Sequence, residues 1–238
     1  MKITYISSSV PRKCGIATYT RDLSDEVDKK STPVSIIAME NPFLPHEYSK
    51  PVVGIIKQEK LSDYKKIALK INSDTTDIVH LQHEFGLFGG DDGEYILTLA
   101  SLLKKPIVVT FHTVLITPTE HQKYIIQELA RLSRFTIVMD EVAKNRLEHV
   151  YGLNPNDSVF ILHGAPIVNM KKDEAKKIIN QSDSFILLAN NLLSRSKGIE
   201  YAIEAVAEAV KMIPNLKFLI VGETHPLVKK SEGESYRE

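Results

Sequence analysis

The chain has 238 residues, of which 43% are hydrophobic and 25% charged, and its 30 Lys plus Arg cancel its 30 Asp plus Glu. The balance holds on both sides of Gly164, so the basic footprint needed for nucleic-acid or polybasic membrane-surface binding is missing. A single cysteine, Cys14, excludes an internal disulfide and a Cys-rich zinc site, and the composition is that of a globular chain rather than a disordered, collagen-like or coiled-coil one.

Short apolar runs rich in Ile, Val and Leu recur at residues 3–6, 34–38, 52–56, 78–81, 107–109, 135–139, 159–162, 185–188 and 216–221. Such runs, with little polar alternation, are expected of strands buried on both faces of a parallel sheet. The first is too short for a signal peptide and none nears the roughly 18 residues of a membrane span, so the reading is a cytoplasmic protein. Helical periodicity fills the gaps: Ile16, Tyr19, Leu23 and Val27 share a face, as do Tyr64, Ile67, Ala68 and Ile71, and later Ile199, Ala202, Ile203, Val206 and Val210. Thr117-Pro118-Thr119-Glu120 reads as a capping box with Thr117 at the N-cap. Asp140, and Asp91 or Asp92, are expected to cap the helices that follow them.

Strand–helix alternation at this spacing predicts an α/β, Rossmann-like, doubly wound parallel sheet. About seven strands fit before Leu162. The pattern breaks at His163-Gly164-Ala165-Pro166, residues 171–180 read as a charged helix or linker, and a new unit opens at Phe185. The expected organisation is one domain over 1–165, a linker over 166–183, and over 184–238 the start of an incomplete second Rossmann-like domain.

In open α/β sheets ligands bind beyond the carboxyl ends of the strands, which selects the loops to read. After the first strand, Ser7-Ser8-Ser9-Val10-Pro11-Arg12-Lys13-Cys14-Gly15 leads into a helix. It is either a plain βα turn or, with Gly15 at the helix N-terminus, a site for an anionic or hydroxyl-rich ligand. The dinucleotide pattern GxGxxG is absent. Glu40, one step past the second run, is the sole support for a dinucleotide-dependent oxidoreductase.

After the fourth strand comes His83-Glu84-Phe85-Gly86. His80 and His83, three apart in a strand, point to opposite faces, so no metal is assigned. His80 reads as a core histidine, while His83 and Glu84 are expected past the strand end, at the crevice. His112, after the fifth strand, shares that rim; each rim histidine is either structural or ligand-contacting. Lys197, with Arg195 just before it and Ser196 as a possible N-cap, is either a solvated loop lysine or part of a diphosphate cradle at a helix start. No GxSxG, Walker or HExxH motif is present.

Taken in order, Pro11-Arg12-Lys13-Cys14-Gly15-Ile16-Ala17, His83-Glu84-Phe85-Gly86, Val108-Val109-Thr110-Phe111-His112, Ile161-Leu162-His163-Gly164, Ser194-Arg195-Ser196-Lys197-Gly198-Ile199-Glu200, Leu219-Ile220-Val221-Gly222-Glu223-Thr224-His225-Pro226 and Glu232-Gly233-Glu234-Ser235-Tyr236-Arg237 make the chain resemble family 4 glycosyltransferases of the GT-B fold. The resemblance implies two Rossmann-like domains, the N-terminal one for a carbohydrate acceptor and the C-terminal one for a sugar-nucleotide donor. It implies retaining, metal-independent hexosyl transfer with no cofactor. It also implies roles for single residues: Gly15 approaching the phosphate or acceptor with its backbone, His112 hydrogen-bonding the donor sugar, His83 and Glu84 on the acceptor side, and Lys197 neutralising the leaving diphosphate.

Leu192 stands where the family often has arginine, so Arg195 is the candidate replacement. The family's acidic donor motif lies beyond Glu238, and a continuing chain or a partner is expected to supply the rest of the donor domain. This chain alone is expected to transfer sugar weakly or not at all. The alternative is a non-catalytic sugar- or nucleotide-binding module.

Overall fold

A computed structural model describes all 238 residues, which divide into two compact units, Met1–Pro166 and Ile167–Glu238. In unit 1 the elements run β1 (Ile3–Ser7), α1 (Gly15–Lys29), β2 (Val34–Glu40), β3 (Val52–Lys57), α2 (Leu61–Ser73), β4 (Ile78–His83), α3 (Tyr95–Leu102), β5 (Ile107–Phe111), α4 (Glu120–Leu132), β6 (Phe135–Val138), α5 (Glu141–His149) and β7 (Ser158–Phe160). The seven strands form one sheet in the order β3-β2-β1-β4-β5-β6-β7, every pairing parallel. The predicted doubly wound sheet is therefore present. Its order reverses direction between β1 and β4.

The register sorts the side chains onto two unlike faces. Ile6 pairs with Leu81, Leu81 with Val109 and His83 with Phe111, so these residues lie on one face. Under α2, α3 and α4 they join Tyr64, Ile67, Ile71, Ile96, Leu99, Ile125 and Leu129 in one apolar cluster. Full burial of each such aliphatic side chain contributes about 1.5–3 kcal/mol. The opposite face, beneath α1, is studded with hydrogen-bonding groups. Ser7 Oγ meets Thr20 Oγ1 of α1 at 2.7 Å, His80 Nε2 meets Thr110 Oγ1 at 2.8 Å, and His112 Nε2 meets Gln82 Oε1 at 2.8 Å.

Local details correct the sequence reading in three places. The cap of α4 is Thr119, not Thr117: Thr119 Oγ1 accepts from Gln122 N while the Gln122 side chain accepts from Thr119 N, so the box closes on Gln122 rather than Glu120. Neither Asp91 nor Asp92 caps α3, which starts without a side-chain cap. Asp92 instead joins α4, accepting from His121 and Gln122 at 3.0 Å each. And β4 extends two residues past the apolar run, through Gln82 and His83, both fully buried. Asp140 does cap α5, accepting from Ala143 N.

Unit 2 contains α6 (Lys172–Ile178), β8 (Phe185–Asn190), α7 (Ile199–Ala209), β9 (Leu216–Val221) and α8 (Pro226–Glu232). Its sheet has two strands, β8 and β9, paired in parallel. Gly198, at φ +59°, is the N-cap of α7, in a left-handed conformation that suits glycine. Ser196, expected as that cap, instead pairs its hydroxyl with Ser194 at 2.9 Å.

Candidate functional site

The direction reversal between β1 and β4 opens a crevice at the carboxyl ends of the strands, the position where α/β sheets take ligands. Ser7, Ser8 and Ser9 close β1 and are buried. Arg12 pins the loop by donating from Nη1 to the Met39 carbonyl at the end of β2, 3.1 Å away. The loop delivers Gly15 to the start of α1, where Cys14 is the N-cap residue but makes no side-chain capping bond. The amides of the first turn thus face the opening uncapped, with the positive end of the helix dipole behind them.

Gly15 is exposed, and a Cβ built on it would meet nothing within 4 Å. Gly15→Ala should therefore leave unit 1 as stable as before or slightly more so, by up to about 1 kcal/mol. It should nonetheless weaken any ligand whose phosphate or hydroxyl approaches this backbone. Thermal denaturation beside ligand titration checks the pair of effects. A loss of stability with unchanged binding would reject the open-approach reading.

His112 stands at the end of β5, held through three sides. Its amide donates to the His83 carbonyl at 3.0 Å, its Nε2 reaches Gln82 Oε1, and its ring sits edge-on to Tyr19 of α1 at 5.0 Å and 88°. Burial first, then the neighbouring His163, push its pKa down to about 4, so the ring is neutral at physiological pH. His80 on β4 is likewise lowered to about 4, by burial and then by His112. It lies against Tyr5 with ring centroids 5.2 Å apart and is, as expected, a satisfied interior histidine.

His83 is not at the crevice. Its ring has turned to the apolar face, 0% exposed, among Phe85, Phe88 and Phe111 at centroid distances of 5.1, 5.9 and 5.5 Å. Neither ring nitrogen has a hydrogen-bond partner, and burial, then His112, lower its pKa to about 3. The cause of the misplacement is the length of β4: with His83 inside the strand, alternation puts it on the Leu81 side.

Glu84 does come to the rim, but as a clamp. One carboxylate oxygen accepts from Phe85 N at 3.1 Å and the other from Thr113 Oγ1 at 2.5 Å, tying the loop after β4 to the loop after β5.

That second loop walls a cavity of about 360 Å³, lined by His112, Thr113, Val114, Leu115, Asp140 and Arg146 among others. Arg146 of α5 donates to the Val114 carbonyl at 2.9 Å and Tyr151, just after that helix, to the Leu115 carbonyl at 3.2 Å, fixing the loop against α5 and the turn that follows it. Sequence reading missed Gln82, Asp140 and Arg146 as site residues. Only the Asp140 cap left a local signal.

In unit 2, Arg195 is engaged: its Nε lies 3.4 Å from Glu232 Oε2 and its guanidinium covers the Tyr236 ring at 5.6 Å. Lys197 is exposed; its amide donates to the Ser194 carbonyl at 2.9 Å, while its side chain makes no hydrogen bond or ion pair. The first amide of α7, Ile199 N, is taken by the Tyr236 hydroxyl at 3.0 Å, and that hydroxyl donates in turn to the Glu200 carboxylate. No helix of the chain is long and apolar enough to cross a membrane.

Comparison with known proteins bears on both fold and family. HepE of Anabaena, solved with UDP and glucose, superposes with a TM-score of 0.69 at 13% identity, covering 100% of this chain and 65% of that one. A glycosyltransferase from Rickettsia africae gives 0.64 at 13% identity, over 98% and 70%. MnaA of S. aureus, solved with UDP, gives 0.58 at 14% identity, over 98% and 66%. Identities this low show a shared fold, and the chain spans about two thirds of the length of these proteins, or slightly less for HepE. No curated protein matches the sequence. The family profile described as Glycosyltransferase Family 4 matches residues 14–167, which contain Gly15, Gln82, Glu84, His112 and Arg146 but not Arg195 or Lys197. On that match, over most of its length, the chain belongs to glycosyltransferase family 4.

Proposed function

We propose that this chain forms the acceptor side and the beginning of the donor side of a retaining, metal-independent hexosyltransferase that uses a sugar nucleotide and a carbohydrate acceptor. The observation that carries the reading is His112: a neutral imidazole fixed by Gln82 and Tyr19 at the rim of a cavity within the family-matched residues. A neutral ring is a hydrogen-bond partner for sugar hydroxyls rather than a charge. The cavity adds Asp140 and Arg146 for hydroxyls and Val114 and Leu115 for the apolar face of a sugar ring. The UDP seen in HepE and MnaA makes a uridine nucleotide the first donor to test.

In the transfer, the bond between the anomeric carbon and the diphosphate oxygen breaks and a bond to an acceptor oxygen forms on the same face. The proton of the acceptor hydroxyl passes to the departing diphosphate. Within unit 1, His112 orients the sugar and Gly15 brings its amide to an oxygen of the ligand; within unit 2, the exposed Lys197, rather than the engaged Arg195, is the cation available to offset charge on a diphosphate. Glu84 acts on the acceptor side by holding Thr113 and its loop, and His83 through its carbonyl on His112 rather than through its ring.

The test is sugar transfer from UDP- and GDP-hexoses by the protein as its source makes it, beside titration with nicotinamide dinucleotides. His112→Ala should lower turnover about 10²-fold with little change in melting temperature. Binding of a nicotinamide cofactor and of no sugar nucleotide would overturn the proposal. Sugar-nucleotide binding with no transfer to any glycan would favour the binding-module alternative.

A further inference from the structure

We propose that Gln82 is a positioning residue that holds His112 in its Nε2–H tautomer, so that Nδ1 is left as the ring's hydrogen-bond acceptor for a substrate hydroxyl. The inference rests on the transferase reading for its purpose, but its geometry is independent of it. Gln82 is fully buried at the carboxyl end of β4, directly beside the end of β5 that bears His112. Its Oε1 lies 2.8 Å from His112 Nε2, and an amide oxygen only accepts. The imidazole nitrogen facing it therefore carries the proton, and a neutral ring then has a bare lone pair on Nδ1.

The Gln82 Nε2 group is buried with no partner. A glutamine serving stability alone would satisfy both ends of its amide, because a buried donor without an acceptor is costly. The hydroxyls beside it are already engaged: Ser7 with Thr20 and Thr110 with His80. Tyr19 meets the His112 ring edge-on and sets its plane, while Gln82 sets its proton. The titratable groups around His112 are His80 from the same face of β4, Tyr19 from α1, His163 from the segment after β7 and, across the cavity, Asp140 and Arg146, with His83 on the other face of the sheet. No carboxylate hydrogen-bonds the ring, so nothing competes with Gln82 for Nε2.

The experiment is multiple-bond 1H–15N NMR of 15N-histidine-labelled protein, with the His112 signals identified by their loss in His112→Ala. The wild type should show the Nε2–H tautomer from neutral pH down to below pH 5. In Gln82→Leu the tautomer preference should collapse toward a mixture. Gln82→Glu places a carboxylate on Nε2 and should raise the His112 titration midpoint by about 2 units. With a competent donor and acceptor, Gln82→Leu should cut kcat about tenfold with KM within about twofold. Gln82→Glu should show a deficit that deepens as pH falls.

A wild-type Nδ1–H tautomer, or a Gln82→Leu spectrum in which His112 keeps its tautomer and midpoint, would overturn the proposal. The wild-type spectrum decides even if a variant fails to fold. Because the NMR result needs no turnover, an Nε2–H ring in a protein that transfers no sugar counts against the transferase reading alone. Transfer by a protein with the other tautomer counts against Gln82 alone.

Discussion

Lowering the pH from 7 to 5 is expected to remove about 5 kcal/mol of the stability of unit 1, a large share of the total of about 5–15 kcal/mol typical of a domain. His80, His83 and His112 are each held neutral in the fold, with pKa values lowered to about 4, 3 and 4 by burial above all. In the unfolded chain they titrate near the ordinary value of about 6.5. Because the folded values are depressed, the unfolded state binds more protons between about pH 6.5 and pH 4. The stabilisation is complete above that window and is lost as pH falls through it.

Melting curves at pH 7.5, 6 and 5 check this. A melting temperature that holds steady over the range would refute it. His83→Leu provides an internal control: its ring nitrogens are unpartnered among three phenylalanines, so the apolar replacement should lower the acid sensitivity by about a third and leave the variant more stable than the wild type at pH 5.

Amide hydrogen exchange in the 238-residue chain should divide sharply between the units, with β4 and β5 protected at least ~10³-fold more than β8 and β9. The core aliphatics of unit 1 are buried to within a few per cent, whereas in unit 2 the buried hydrophobic residues are Leu193 and Ile199 alone. Phe185, Leu188, Tyr201, Ile203 and Val221 of that unit remain half or more exposed. A parallel pair of strands with one helix along it cannot bury enough surface to repay the ordering of its backbone. Mass-spectrometric exchange should show β8 and β9 deuterated while the centre of the large sheet is still protonated. Equal protection in both would mean that unit 2 is stabilised by contacts other than its own core.

Much of the fold is legible in the sequence because its strands are buried on both faces, and hydrophobic runs such as 34–38 and 107–109 announce themselves. The legibility fails where polar residues are interior. Gln82 and His83 end the apolar run, yet the strand continues through them, and with that extension the His83 ring falls on the apolar face rather than at the crevice. The clamp of Glu84 on Thr113 and the tether of Arg146 to Val114 join residues about 30 apart in sequence; no local pattern carries such pairings. The positions of His112, directly after β5, and of Gly15, at the start of the helix that follows the β1 loop, are legible because strand and helix ends are marked in the sequence. The α4 cap was missed by two positions because Thr117 and Thr119 are equally good caps locally, and only the fit of Gln122 separates them.

The unlike faces of the large sheet have a consequence for how this chain tolerates change. Side chains on the α1 face form polar pairs at the crevice, while those on the α2–α4 face supply the bulk of the core. Groups projecting from opposite sides of a sheet share few partners, and the effects of substituting them are close to additive. Variation at Gln82, Tyr19 or Thr110 and variation at Leu81, Ile125 or Leu129 are thus nearly separate experiments. Drift in the core can proceed without disturbing the crevice, and changes at the crevice can be tried without first rebuilding the core.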